Sequence, residues 1–152
     1  MIILISEIDF PKAVSYNICK EISIFFSEHI KYKKCLYFNT SKDNIENLDI
    51  KLNQIGAKLG LITDRRLLVN KPEVSSVDGF AIGIGRNICF VSQLNGLDYL
   101  PLLKHELAHC YGVEHCSTPG CLMAKDVCNG KYCWKCGKCQ RLPSSFCKKH
   151  NI

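Results

Sequence analysis

The run His105-Glu106-Leu107-Ala108-His109-Cys110-Tyr111-Gly112-Val113-Glu114-His115 constrains this chain more than any other feature it has. On a helix, side chains four residues apart share a face, so His105 and His109 can offer two imidazoles to one ion. Leu103, Leu107 and Cys110 fall on a neighbouring face and can anchor that helix in a core. Glu106 is displaced by about 100° of helix rotation, beside the metal rather than opposite it. A third ligand requires the chain to turn back. Gly112 supplies the turn, because glycine adopts a left-handed backbone at no steric cost, and His115 can then return to the ion. Three histidines leave a fourth position for water, which is how a catalytic rather than a structural zinc is held. Asp98 can cap this helix, so the expected span of the active-site helix is about 98–111.

The rest of the chain must supply a scaffold that buries such a helix. Met1–Ile8 reads as a strand, followed after Asp9 and Pro11 by a helix to about His29, with Val14, Ile18, Ile22 and Phe25 at helical spacing. Cys35–Phe38 reads as a second strand. Asp43 and Glu46 form a capping-box pattern ahead of Ile45, Leu48, Leu52 and Ile55, with Gly56 as the stop. Leu59–Thr63 and Ile88–Ser92 are short apolar runs expected to be buried strands. Between them Lys71–Val77 reads as a loop and Phe80–Gly85 as a glycine-rich edge strand. The predicted order is β-α-β-α-β-β-β-α, an α/β fold (an α+β sandwich) of mixed sheet with helices. No linker or repeat divides the 152 residues, so one domain over 1–152 is expected.

Cysteine usage sets the compartment. The chain holds 11 cysteines, an odd count, with no secretory signal ahead of them. Cys116, Cys121, Cys128, Cys133, Cys136, Cys139 and Cys147 crowd the last quarter. Clustered thiols in a reducing compartment point to metal binding rather than crosslinking. No apolar run approaches the roughly 20 residues of a membrane span, so a cytoplasmic protein is expected. The net charge of +6 is carried by the tail from Lys125 onward. A basic tail can serve a nucleic-acid partner. It can equally offset the formal charge of about −2 that four thiolates leave around one zinc, which is the preferred reading.

From His105 to Met123 the sequence resembles the archaemetzincins, a branch of the metzincin zinc peptidases. The resemblance runs through the histidine motif and on through His115-Cys116, four further residues, and Cys121-Leu122-Met123. It implies a metzincin-like mixed sheet with a zinc-stapled C-terminal subregion over about 116–147. It also implies a catalytic zinc on His105, His109 and His115, Glu106 as general acid and base, and Met123 in a turn beneath the site. Peptide substrates would lie against an edge strand, for which Phe80–Gly85 is the candidate. A second, structural zinc would take Cys116, Cys121 and a downstream C-x-x-C pair, making two zinc ions per chain. That pair is Cys133 with Cys136, or Cys136 with Cys139. Only nine residues separate Met123 from Cys133, a spacing shorter than the family's. Gly137 after Cys136 favours the first pair.

These residues predict a zinc peptidase acting on peptides or proteins, monomeric, with no membrane partner. Lys104 and Tyr111 are expected to be a solvated charge and a packing aromatic. Two other readings stay open. One is a zinc-knuckle module that binds nucleic acid or protein, its lysines interleaved with Tyr132 and Trp134 and its histidine site vestigial. The other is a thiol redox protein built on the C-x-x-C pairs.

Overall fold

Three runs, Ile2–Ser6 (β1), Lys58–Thr63 (β3) and Ile88–Ser92 (β7), are almost continuously apolar, and all three are buried in the middle of one sheet. That is the pattern of parallel strands covered on both faces. The computed structural model describes residues 1–68, 76–77, 79–93, 99–116 and 121–123. Its other elements are α1 (Lys12–Phe26), β2 (Ile30–Lys34), α2 (Lys42–Ile55), β4 (Leu67–Leu68), β5 (Ser76–Val77), β6 (Gly79–Ala81) and α3 (Tyr99–Cys110). The sheet order is β2-β1-β3-β7-β6, parallel from β2 to β7, with β6 antiparallel on the outer edge. β4 and β5 form a separate antiparallel ribbon.

Strand alternation divides the core in two. Ile2, Leu4, Ile62, Cys89 and Val91 meet Ile18 and Ile22 of α1 and Leu103 and Leu107 of α3 on one face. Ile5, Leu59, Leu61 and Phe90 meet Ile45 and Leu52 of α2 on the other. Gly60 sets how near α3 comes. A Cβ there would lie 3.1 Å from Leu103 Cδ1 and 3.2 Å from Leu4 Cδ2, so the missing side chain is the space the helix uses.

The expected α/β fold of mixed sheet is present, with three local corrections. The second strand is Ile30–Lys34, not Cys35–Phe38, and α1 stops at Phe26 rather than near His29. The helix ends on Ser27 in a left-handed conformation (φ 53°), without the glycine that usually marks such a stop. β2 is an edge strand whose Ile30 and Tyr32 alternate with exposed Lys31 and Lys33, so it carries no apolar run. Secondly, α2 is capped by Ser41, whose hydroxyl accepts the Asn44 N–H, and not by Asp43; its Gly56 stop is as expected. Thirdly, Ser76–Val77 is strand, and the edge strand is Gly79–Ala81, with bends and a turn over 82–85. Among the described residues no helix is long and apolar enough to cross a membrane.

α2 is tied to the β6–β7 turn by Asp49. Its carboxylate, almost buried, accepts from Arg86 Nε at 2.7 Å and from the Asn87 backbone N–H at 2.9 Å. Burial raises the Asp49 pKa, but the bonds from Arg86 and Asn87 outweigh it and hold the carboxyl below its ordinary 3.8. Asp49→Ala should therefore lower stability by about 2 kcal/mol in urea denaturation at neutral pH, since Arg86 is half-exposed and recovers part of its hydration. A depressed carboxylate stabilises above its unfolded pKa and ceases to do so as pH falls through the folded value. The gap between wild type and variant should thus be constant above about pH 5 and close only below 3.8.

Candidate active site

Every residue from Pro101 to Cys110 is buried. A helix enclosed on all sides is normally apolar all round, yet α3 carries Lys104, His105, Glu106 and His109 into the interior. One side lies on the sheet through Leu103 and Leu107. Another is covered by a small cluster in which Ala108 meets Leu122, Met123, Cys116 and Cys121. Lys104 is not the solvated charge expected. Its Nζ lies 4.9 Å from the centre of the Phe25 ring and 3.9 Å from Glu21 Oε2, packed between α3 and α1. Tyr111 does pack as an aromatic, stacked on Phe26 at 5.3 Å.

The helix ends as its glycine predicts. Gly112 has φ 90°, its N–H donates to the His109 carbonyl, and the Val113 N–H donates to the Ala108 carbonyl, each at 3.0 Å. This pair of bonds is a Schellman motif, and Val113 packs with Ala108 as that motif favours. The reversal returns His115 to the helix it has just left. Ring centres are 4.8 Å apart for His105 and His109, 4.7 Å for His109 and His115, and 5.4 Å for His105 and His115. One ligand atom from each lies within 4.8 Å of the others. His105 and His109 are buried while His115 is exposed, so the cluster opens to solvent on the His115 side.

Hydrogen bonds settle which nitrogens face the cluster. His105 Nδ1 lies 2.7 Å from the Leu122 carbonyl and His109 Nδ1 lies 2.7 Å from the Val113 carbonyl. A carbonyl only accepts, so both Nδ1 atoms carry hydrogen, and in the neutral ring each Nε2 then presents a lone pair. Burial, with His115 nearby, lowers the His109 pKa despite the Val113 carbonyl, which favours the neutral ligand form. His109 Nε2 and His115 Nε2 are 3.2 Å apart. Two nitrogens on a tetrahedral zinc, each about 2.0–2.1 Å from it, would be about 3.3–3.4 Å apart, so the donor set fits that ion.

Glu106 is enclosed by β6. A Cβ on Gly79 would lie 3.2 Å from both Glu106 Cγ and Oε2 and 3.1 Å from the Phe90 carbonyl. The edge strand therefore crosses close over this carboxylate, and glycine lets it pass without displacing its neighbours. Gly85 beyond it donates its N–H to the His109 carbonyl at 2.8 Å, fastening the turn after β6 to the end of α3. The sequence marks Phe80–Gly85 as a substrate-binding edge but gives Gly85 no role of its own there, and Gly79 falls one residue outside that stretch. The Leu122 and Val113 carbonyls have no side-chain signature at all.

Met123 is fully buried beside Ala108, and its carbonyl accepts the Cys116 N–H at 2.7 Å. Cys116 and Cys121 are buried in the same cluster, and the Met123 N–H points at Cys121 Sγ from 3.4 Å. Cys133, Cys136 and Cys139, expected to complete a second zinc site, lie outside the described residues.

No protein-family model and no curated protein sequence matches the chain. Solved structures do. A zinc-dependent peptidase from Methanocorpusculum labreanum superposes with a TM-score of 0.66 at 18% identity, covering 98% of this chain and 97% of the other. The archaemetzincin of Archaeoglobus fulgidus, crystallised with malonate, superposes with a TM-score of 0.65 at 16% identity over 98% and 97%. The chain has the archaemetzincin fold. In this chain the histidine-bearing helix and the turn at Gly112 are joined by the bonds that close α3, which makes the glycine testable. Gly112→Ala forces a Cβ into a left-handed conformation and should cost about 1–2 kcal/mol in urea denaturation. It should also weaken zinc binding at least tenfold in a chelator competition, because the strained turn displaces His115.

Proposed function

We propose that this chain is a zinc-dependent peptidase, with zinc held by His105, His109 and His115 and Glu106 as its general base. One observation carries the reading. Three imidazoles converge, two of them held by backbone carbonyls in the tautomer that presents Nε2, and the buried Glu106, next to His105 in the chain, is not one of the converging groups. Both solved structures of this fold described above are named as a peptidase or an archaemetzincin, which supports the assignment. Zinc, when bound there, supplies a Lewis acid that polarises a carbonyl and makes water acidic near neutral pH.

The chain's own residues do the rest. Glu106 accepts a proton from the attacking water and returns it to the leaving amine, which asks of it only a proton held at a carboxylate oxygen. Its enclosure by α3 and β6 keeps that carboxylate out of bulk solvent, so the proton is exchanged within the site. The outer edge of β6 offers backbone groups to an extended peptide, and among the described residues no strand pairs with that edge. His115 lies on the open side, where a substrate can approach.

A second zinc, giving two per chain, belongs to the same reading. Cys116 and Cys121 are two of its ligands, and Cys133 with Cys136 the others, Cys139 replacing Cys133 in the alternative pairing. A closed four-thiolate site contributes folding energy outright. The protein acts in the cytoplasm, as a monomer, on peptides.

Two experiments test these assignments. Glu106→Gln should retain zinc by atomic emission yet lose about 10²–10⁴-fold in peptide hydrolysis, whereas His115→Ala should lose zinc itself; equal turnover by Glu106→Gln and wild type refutes the base. Cys136→Ser, which breaks either pairing, should drop the content from two zinc ions to one and lower the melting temperature. Two ions and an unchanged melt in that variant would exclude both forms of the cysteine site.

A further inference from the structure

On the face of the sheet away from the histidines, a cavity of about 590 Å³ opens between the start of α2, the stretch after β3, and β6. Its volume falls within the range of sites that take a ligand. Phe80, Ile82, Phe90, Leu61 and Ile45 make the wall apolar. Arg65, Arg66, Arg86 and Lys42 also line it, against the single acid Glu46. Glu7 holds Arg65 and Asp49 holds Arg86, each at 2.7–2.8 Å, so two of the guanidiniums are already positioned. Even with those two carboxylates counted, the lining keeps a surplus positive charge. Arg66 is exposed and forms no ion pair with another described residue.

The cavity shares its wall with the edge strand that crosses the active site. Along β6 the pleat sends Gly79 toward Glu106 and Ala81 toward the core beneath α3, while Phe80 between them faces the cavity. A peptide paired with the outer edge of β6 obeys the same alternation, because residues directly opposite one another across a pair point to the same face. Residues opposite Gly79 and Ala81 turn to the histidine side. The residue opposite Phe80 turns to the cavity side, and so does the residue two further along. Gly83 serves the same rim. A Cβ there would lie 2.8 Å from Arg86 Cγ, so the glycine is what lets the Arg86 stem lie across the turn after β6.

We infer that this cavity is a second substrate subsite on the far face of β6. It takes a bulky apolar side chain, with a carboxylate side chain two residues away meeting Arg66 and Arg86. The inference rests on the peptidase reading, and it adds a selection rule that the histidine side does not contain: recognition by alternate residues on the face opposite the chemistry.

The test compares two short dye-labelled peptides of identical composition in an alanine and serine background. In one, phenylalanine and glutamate are two residues apart and share a face of a strand; in the other they are adjacent and point to opposite faces. Fluorescence anisotropy on zinc-loaded Glu106→Gln protein should show the alternate peptide binding up to about fivefold tighter, the order expected of one carboxylate meeting an exposed guanidinium, because both peptides can bury the phenylalanine and only the alternate one brings its glutamate to Arg66. Arg66→Glu, at an exposed position, should leave the melting temperature unchanged and bring the alternate peptide down to the affinity of the adjacent one. Equal or undetectable binding of the two peptides overturns the subsite, as does a preference that survives Arg66→Glu. Hydrolysis by the protein with Glu106 intact is read separately. A spacing preference without cleavage leaves the subsite standing and removes the peptidase reading; cleavage of both peptides with equal affinity does the reverse.

Discussion

The bond from the Val113 N–H to the Ala108 carbonyl closes α3, and the left-handed residue before it, Gly112, is what makes that bond possible. The same reversal sends the Val113 carbonyl back to His109 Nδ1, and two residues later it delivers His115 to His109. Helix termination, tautomer selection and completion of the donor set are thus one backbone event. A helix continuing past Cys110 would lose all three, since its next carbonyls would be spent on its own ladder.

Burial makes this event necessary. α3 takes two imidazoles, a carboxylate and an ammonium out of water, and each unpaired polar group buried in this way would cost roughly 1–3 kcal/mol. Carbonyls of Leu122 and Val113 satisfy the imidazoles, and an aromatic face with a distant glutamate accommodates Lys104. The close approach that keeps Glu106 dry comes from glycines rather than from side chains. Gly60 lets the helix down onto β3, and Gly79 lets β6 pass over the carboxylate. The hydrophobic clusters on either side of the sheet hold these approaches in place, because close-packed interiors yield little to local strain.

What could be read from the sequence follows from what kind of signal each part carries. β3 and β7, buried on both faces, announce themselves as apolar runs, and α2 as an amphipathic helix ending in glycine. β2 did not, since an edge strand alternating isoleucine and tyrosine with lysine looks like the solvated tail of the helix before it. The short ribbon of β4 and β5 has too few residues for any periodicity. At the site, the convergence of the three histidines is legible because a shared ion needs side chains at fixed spacing, and the turn at Gly112 because a positive φ favours glycine. Gly79 and the orienting carbonyls are not, because they act through the backbone and through contacts far apart in sequence. Lys104 was misjudged for a related reason: a charged residue reads as exposed unless its neighbours in space are known.

Likeness to solved zinc peptidases at 16–18% identity, with nearly the whole of each chain superposed, follows from the same division of labour. Buried strand positions require only that a residue be apolar and roughly fitting, so isoleucine, leucine and valine exchange there at little cost. That freedom lets most of a sequence drift while the sheet persists. It does not extend to positions where a Cβ would strike a neighbour or where φ is positive, nor to donors that must reach one point in space. In this chain Gly79 lies between the two kinds. It belongs to an edge strand, yet a side chain there would press on the Phe90 carbonyl at 3.1 Å and on the Glu106 side chain at 3.2 Å, so any larger residue requires these neighbours to give way. One strand therefore reports to both faces of the sheet, through Gly79 to Glu106 and through Phe80 to the cavity beyond. A displacement of β6 that accommodates something on one face must move backbone on the other, because three residues of extended chain have no slack to absorb it.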